Sequence, residues 1–177
     1  MTLTEILIYI LTSSFVIQII YIIIFHSRVT FHKNQTLNQS FGVSIIICSR
    51  NEEENLKLFL SKVLNQKYEN FEVIVVNDRS WDNSNDFLKS KQKEYNNLKI
   101  VNIPDNGSDH FGKKLALTLG IKASKHEYLL FTDADCYPIN NMWLKEMSSG
   151  FLEKKELVLG ASSYVKEKGV LNKLIRF

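Results

Sequence analysis

Hydrophobic residues along the chain form one long apolar run, followed by a series of short segments. The run covers residues 6–25, carries no charge and is interrupted only by Thr12, Ser13, Ser14 and Gln18. Twenty residues of α-helix reach about 30 Å, the thickness of the hydrocarbon core of a membrane. A signal peptide would need a positive start, a shorter run and small residues at a cleavage site. The pattern favours a transmembrane helix within residues 1–27 over a signal peptide or a buried core helix.

Positive charge lies on one side of this run only. Arg28 and Lys33 follow it, and no Lys or Arg precedes it. By the positive-inside rule the N-terminus lies outside and the rest of the chain in the cytoplasm. We therefore expect a single-pass protein of the cell (inner) membrane that contacts lipid through this helix. Residues 28–41 are expected to be a linker to a folded domain that begins near Gly42, spanning 42–177.

From residue 42 onward, β-branched apolar runs alternate with segments of helical periodicity. This alternation predicts an α/β fold with right-handed βαβ crossovers and a mostly parallel, Rossmann-like sheet. The last helix would be capped by Asn140 or Asn141. The predicted strands are residues 43–48, 71–76, 98–103, 127–132 and, as a possible fifth, 156–160; the predicted helices are 51–66, 82–95, 113–123 and 140–152.

Composition narrows the class of protein. The 177 residues are enough for about one domain, and 45% apolar content suits a packed core. The net charge of +3 is small and the basic residues are scattered, so we expect no nucleic-acid partner. Cys48 and Cys136 are far apart and lack metal-ligand spacing, which argues against a disulfide framework or a zinc site. Two unpaired cysteines suit a reducing cytoplasm.

Two carboxylates follow the most strongly apolar strand. Asp133 and Asp135 come where the strand ending at Thr132 should leave the sheet. Open α/β sheets bind ligands outside the carboxyl ends of their strands, and side chains at i and i+2 of an extended segment point the same way. The pair is therefore placed to share a hard cation, Mg²⁺ or Mn²⁺. The alternative is that both are loop carboxylates that cap the next helix.

The other strand ends exclude two common nucleotide-binding classes. The segment from Cys48 to Glu52 has no glycine, so neither the dinucleotide-binding turn nor the Walker loop is present. Asp78 follows the second strand, where a ribose or base can be bound, although a turn and helix cap with Ser80 and Asp82 would also explain such residues. Lys113 lies at a predicted helix start and is placed to meet a phosphate.

Four motifs in this order resemble the family 2 glycosyltransferases, which have the GT-A fold. The resemblance covers about residues 43–160. It rests on the first strand with Asn51 and Glu52, and on a second strand ending in a form of the V-D-D-x-S-x-D motif. The other two motifs are Gly112-Lys113 with Ala116-Leu117 and Gly120-Ile121, and Asp133-Ala134-Asp135 as the D-x-D motif.

The resemblance implies a glycosyltransferase that transfers a sugar from a nucleotide-diphosphate sugar, expected to be a UDP-sugar, to a glycan or lipid acceptor. Its implied setting is cell-surface polysaccharide or glycolipid synthesis, with inversion at the sugar carbon. A divalent metal, Mg²⁺ or Mn²⁺, is the implied cofactor. The implied contacts to metal are Asp133 and Asp135; the implied contacts to the nucleotide-sugar are Cys48, Asn51, Glu52, Asp78, Lys113 and Asp133.

The sequence departs from the family pattern at Asn77, Arg79 and Thr118. The acceptor-side general base expected beyond the D-x-D motif is not recognisable, so we interpret the chain as the donor half of a longer enzyme. Two alternatives stay open: a nucleotidyltransferase, and a membrane-tethered module that binds a nucleotide-sugar without turnover. The acidic residues after Asp135 are Glu146, Glu153, Glu156 and Glu167.

Overall fold

The structure of the chain is a computed structural model. It describes residues 2–30, 41–105, 112–153, 155–160, 162, 164–166, 168–169 and 171–172, with the side chains left out at 26–30 and 152–153. Residues 31–40 of the predicted linker at 28–41 lie outside the described residues, and residues 28–30 belong to the N-terminal helix. Two compact units are present, Met1–Gln35 and Thr36–Phe177.

The first unit is built on one helix, α1 (Leu3–Thr30). Its stretch Leu3–Phe25 is long and apolar enough to cross a membrane, slightly longer than the run predicted from sequence. The large apolar side chains of this stretch are exposed. The hydroxyl of Thr12 donates to the carbonyl of Ile8 at 2.9 Å, and that of Ser13 donates to a carbonyl three residues earlier. These polar groups are therefore satisfied within the helix, as an apolar surrounding requires.

The second unit contains a four-stranded parallel sheet in the order β3-β2-β1-β4. The sheet brings the ends of β1 and β4 together, because Cys48 pairs in register with Asp133. On the other side of β1, Ser49 pairs with Asn77 of β2. The elements of this unit are β1 (Val43–Ser49), α2 (Glu53–Leu64), β2 (Phe71–Asp78), α3 (Ser84–Glu94), β3 (Leu98–Ile103), α4 (Lys113–Ala123), β4 (Tyr128–Asp133), α5 (Trp143–Ser149) and a 3-10 turn (Gly150–Glu153).

Alternate residues of the central strands fill two cores, one on each face of the sheet. Ile45 and Val73 belong to the larger core, which receives apolar side chains from α2, α3 and α5. Ile46 and Ile74 face the smaller core on the side of α4. A parallel sheet with both faces covered explains why β1 and β2 are almost continuously apolar.

Two predictions near the C-terminus are wrong. The predicted strand at 156–160 is not a strand; Val158 instead packs against Gly150, where an added Cβ would lie 2.6 Å from its Cγ2. The helix predicted at 140–152 begins at Trp143, and its N-cap is Met142. Asn140 does not cap the helix; its Oδ1 accepts a hydrogen bond from the Met142 backbone at 2.8 Å in the preceding turn.

Candidate functional site

An open pocket of about 370 Å³ lies at the carboxyl end of the sheet, between β1, β4 and α4. Cys48, Thr132 and Asp133 contribute from the strand ends, and Lys113 from the first turn of α4. The sheet register sets this arrangement, because Cys48 and Asp133 are paired residues of neighbouring strands. The remaining lining residues are apolar: Leu117, Ile121 and Phe131.

Lys113 and Asp133 form an ion pair at the pocket. The Lys113 Nζ lies 2.6 Å from the Asp133 Oδ1, and the two side chains are 62% and 56% exposed. The hydrogen bond with Asp133 raises the pKa of Lys113, so the ammonium is fully charged at neutral pH. An ion pair this exposed contributes little to stability. Lys113 and Asp133 can therefore separate, so that each contacts a ligand instead, at a small cost in free energy.

Cys48 is an uncharged residue of the pocket lining, beside this ion pair. Burial raises the pKa of its thiol, an effect that the nearby Lys113 only partly offsets. The thiol is therefore protonated at neutral pH and is suited to packing rather than to nucleophilic attack. Cys136, the other free cysteine, is exposed, and its pKa is also raised, chiefly by desolvation.

Asp133 and Asp135 are both exposed at the sheet edge, with Asp133 the last residue of β4 and Asp135 in the following turn. Within the described residues, no group of three or more His, Cys, Asp or Glu side chains is placed to hold a metal ion. Mg²⁺ sites commonly use one or two carboxylates together with substrate phosphates. One exposed carboxylate in the pocket lining and a second in the adjoining turn fit such a donor set.

Asp78 lies at the end of β2, next to Arg79, a cation that the sequence analysis does not pair with it. Its Oδ1 accepts a hydrogen bond from the Arg79 Nε at 2.8 Å, and its Oδ2 accepts one from Nη2 at 3.4 Å. Both side chains are 9% exposed. Arg79 has a left-handed backbone with φ of 50°, which turns the chain sharply after the strand. Asp78 is not among the residues that line the pocket.

The loops after β1 and β2 are joined by hydrogen bonds. Asn51, with φ of 56°, receives a hydrogen bond at Oδ1 from the Trp81 backbone at 3.0 Å, and its own N–H donates to the Ser80 Oγ at 2.9 Å. Asp82 accepts from the Glu53 backbone at 3.0 Å, which satisfies a donor at the start of α2. Glu52 is the N-cap residue of α2 and accepts from the Asn55 side chain at 2.6 Å.

The structure thus divides the predicted site residues into two groups. Cys48, Lys113 and Asp133 line one pocket, with Asp135 in the adjoining turn. Asn51, Glu52 and Asp78 lie at the neighbouring strand ends, and the side chains of Asn51 and Asp78 already have protein partners. Sequence reasoning missed the apolar lining Leu117, Ile121 and Phe131 and the partner Arg79. Of these residues, only Arg79 could have been identified from the sequence, because a positive charge directly after Asp78 indicates an ion pair.

Comparison with known proteins agrees with a glycosyltransferase domain of the GT-A type. The family described as Glycosyl transferase family 2 matches residues 44–177, and the chain belongs to this family. A poly-beta-1,6-N-acetyl-D-glucosamine synthase of Staphylococcus aureus (strain COL) is 37% identical over 94 residues, 53% of this chain and 22% of that protein. An uncharacterized glycosyltransferase of Haemophilus influenzae is 30% identical over 134 residues, 73% of this chain and 40% of that protein.

Solved structures show the same fold. TarS of S. aureus, in a complex with UDP-GlcNAc, superposes with a TM-score of 0.54 at 28% identity, over 63% of this chain and 31% of that one. A Pyrobaculum calidifontis mannosyltransferase, in a complex with GDP-Man and Mn²⁺, superposes with a TM-score of 0.58 at 20% identity, over 68% of this chain and 35% of that one. The chain spans well under half the length of each of these relatives.

Proposed function

We propose that this chain provides the donor site of a membrane-anchored, metal-dependent glycosyltransferase that uses a UDP-sugar. The observation that carries the proposal is the pocket at the sheet edge where Lys113 and Asp133 meet beside Asp135. A diphosphate needs cationic and metal-binding groups at one place, and this edge offers both. The family membership of residues 44–177 and the likeness to a protein solved with UDP-GlcNAc support the same assignment.

The residues of the pocket have separable tasks in this proposal. Lys113 donates to the diphosphate as negative charge grows on the leaving nucleotide, which favours the transition state over the bound ground state. Cys48 and the apolar lining exclude water from that side. Asp78, held in place by Arg79, faces the uracil or ribose, while Asn51 and Glu52 shape the loop beside it.

Asp133 and Asp135 would hold the divalent metal, Mg²⁺ or Mn²⁺. When bound, the metal neutralises charge on the diphosphate. Their exposure and hard oxygen donors suit this task, and the phosphates would complete the coordination. Asp133 contacts Lys113 in the free protein, so donor binding would replace one cation on this carboxylate with another.

We extend the proposal to the acceptor side of the reaction, which concerns the whole enzyme and not only the residues of this pocket. Inverting transfer needs a base for the acceptor hydroxyl, on the face of the sugar opposite the leaving group. The poly-beta-1,6-N-acetyl-D-glucosamine synthase extends far beyond the matched segment. By analogy, a cell-surface polysaccharide or glycolipid is the proposed product, made at the cytoplasmic side of the cell membrane.

The assay that tests this function measures ligand binding and two possible products with the full chain in detergent micelles. UDP-N-acetylglucosamine is supplied with Mn²⁺, and bound nucleotide-sugar and released UDP are both measured. Binding together with UDP release, in which the sugar passes to water because no acceptor is supplied, supports the donor site of a transferase. Binding without any release supports the tethered binding module instead. Pyrophosphate release from UTP and a sugar 1-phosphate would support the nucleotidyltransferase.

A further inference from the structure

The loop that carries Asp135 is held by more than the strand before it. Residues 134–142 connect β4 to α5. At the start of this loop, the Cys136 backbone donates to the Asp133 carbonyl at 3.2 Å, which forms a turn. A nine-residue segment needs further contacts to keep one conformation, because each ordered residue costs conformational entropy.

Tyr137 supplies a contact in the first half of this loop, two residues after Asp135. Its ring stacks on that of Phe59 in α2, with centroids 4.6 Å apart and planes inclined by 20°. The Lys62 ammonium lies 3.8 Å from the Tyr137 ring centroid. Phe59 and Lys62 are three residues apart on a helix, so they present one surface to the loop. Tyr137 is therefore bound by a stacked ring and by a cation.

The second half of the loop is held by the residues that follow α2. The buried side chain of Gln66 donates to the Asn140 carbonyl at 3.1 Å and accepts from the Leu144 backbone at 3.0 Å. The backbone of Lys67 donates to the Asn141 carbonyl at 2.7 Å. The loop after β4 is thus attached to α2 and its C-terminal extension at both ends of residues 137–141.

Tyr137 is the contact nearest to the carboxylates, and the core does not depend on it. Neither Tyr137 nor Phe59 belongs to the two hydrophobic clusters among the described residues. Tyr137 is 36% exposed, so its truncation leaves no large internal cavity. A contact outside the core that fixes a turn beside candidate ligand-binding residues is typical of a supporting residue in a functional site.

We propose that Tyr137 is a positioning residue, which holds the turn containing Asp135 against α2 so that Asp133 and Asp135 face the donor diphosphate together. The effect of Tyr137 on donor binding rests on the proposed function, because the diphosphate and the metal belong to that proposal. The geometric part, the fixing of the first half of the loop, stands on the stacking and cation contacts of Tyr137 and does not depend on the donor. Loss of the ring should therefore loosen the loop first and weaken metal-dependent binding as a result.

The experiment compares Tyr137→Ala, Tyr137→Phe and Lys62→Met with the unaltered full chain in detergent micelles. Hydrogen exchange of residues 134–142 measures the loop, and UDP affinity with and without Mn²⁺ measures the site. We expect Tyr137→Ala to speed exchange and to weaken Mn²⁺-dependent UDP binding about tenfold each, the equivalent of one aromatic contact. Tyr137→Phe keeps the stacked ring, so its exchange rate and UDP affinity should equal those of the unaltered chain. Lys62→Met should change both quantities in the same direction as Tyr137→Ala, but by less.

Two control variants match these changes away from the loop. Tyr164→Ala removes another exposed tyrosine, and Lys91→Met removes a cation that lies 6.0 Å from the Phe87 ring on α3. Both should leave exchange at 134–142 and UDP affinity unchanged. Equal effects of the control and test variants would mean that the loop responds to general destabilisation, and would overturn the inference.

The outcomes separate this inference from the proposed function. Unchanged exchange in Tyr137→Ala overturns the positioning role, whatever the chain binds. Faster exchange with unchanged Mn²⁺-dependent UDP affinity shows that the loop does not shape the site, and also overturns it. If the unaltered chain binds no UDP while exchange responds as expected, the proposed function is wrong, and the inference fails in its donor-binding part only.

Discussion

Two ion pairs at the same sheet edge differ in what surrounds them. Asp78 and Arg79 are 9% exposed and form two hydrogen bonds, whereas Lys113 and Asp133 are more than half exposed. Removing one partner of a buried pair leaves a charge that water no longer solvates well. Removing one partner of an exposed pair leaves a charge in water. The first pair therefore supports the strand end, and the second is available for a ligand.

We expect Asp78→Asn to lower the free energy of unfolding by about 2 kcal/mol, because the Asp78 carboxylate no longer accepts two charge-assisted hydrogen bonds from Arg79 at a site with little access to water. Lys113→Met is the matched control and should change the free energy of unfolding by less than about 1 kcal/mol. Chemical denaturation of the full chain in detergent micelles measures both. Equal effects of the two substitutions would contradict the division between a supporting pair and an available one.

The stability of the folded unit should depend on His126 below neutral pH. Burial lowers the pKa of His126 from its usual 6.5, and the adjacent Lys125 lowers it further. The Nε2 atom is buried and has no hydrogen-bond partner among the described residues. The unfolded chain therefore binds a proton at a higher pH than the folded chain, so stability falls as pH drops through about 6.5.

Substituting His126→Gln should remove this part of the pH dependence. The measurement compares the free energy of unfolding at about pH 7.5 and pH 5.5 in the two proteins. The unaltered chain should lose more stability than the variant on acidification. A loss of the same size in both would show that His126 stays equally protonated in the folded and unfolded states.

At the scale of elements, α4 must approach the sheet closely to place Lys113 at the pocket. Gly120 allows this approach, since a Cβ there would lie 2.5 Å from the Ile46 Cγ2 and 3.2 Å from the Val76 Cγ2. The helix lies directly over β1 and β2, with Ala116 buried on the same face. Small residues are therefore needed at positions 116 and 120 for packing. From the sequence alone, these two residues are recognised only as members of the motif that begins at Gly112.

We expect Gly120→Leu to destabilise the unit by about 3 kcal/mol, because the added atoms overlap with Ile46 and force α4 away from the sheet. Thr118→Leu, on the exposed side of the same helix, is the control and should stay within about 0.5 kcal/mol. Thermal unfolding of the full chain gives both values. A stable Gly120→Leu protein with unaltered UDP affinity would contradict the close packing described here.

The succession of strands and helices along the chain could be predicted from the sequence, because apolar periodicity determines which residues face the core. The bounds of β3 and α4 match the prediction residue for residue. The prediction failed at residues 140–160, where tertiary contacts decide the structure. Val158 packs onto Gly150, and Gln66 binds the backbone of Leu144 from a distant segment. No local pattern reports such contacts.

At the scale of the whole molecule, one chain contains a helix long and apolar enough to cross a membrane and a domain of glycosyltransferase family 2. The basic residues Arg28 and Lys33 follow the apolar stretch, and by the positive-inside rule we expect the domain on the cytoplasmic side. Protease added outside intact cells should then leave the domain uncut, whereas protease added to opened cells should degrade it. A tag fused to the N-terminus is the control and should be removed from outside. Digestion of the domain in intact cells would contradict this topology.

The candidate site could be located from sequence, but its internal contacts could not. The carboxyl ends of parallel strands meet at one edge, so residues such as Asp78, Lys113 and Asp133 were expected there. Which of them pair depends on side-chain direction and register. The contact between Lys113 and Asp133 joins residues 20 positions apart, and no spacing rule predicts it.

The measurement that tests the central claim most directly is a calorimetric titration of UDP into the full chain, with and without Mn²⁺. Asp133→Asn is the test variant, and Asp86→Asn, an exposed aspartate of α3 that does not line the pocket, is the control. We predict UDP binding that depends on Mn²⁺, is lost in Asp133→Asn and is kept in Asp86→Asn, with a melting temperature unaltered in both. A folded chain that binds no UDP, or that binds it equally with Asp133→Asn, would contradict the assignment of this pocket as the donor site.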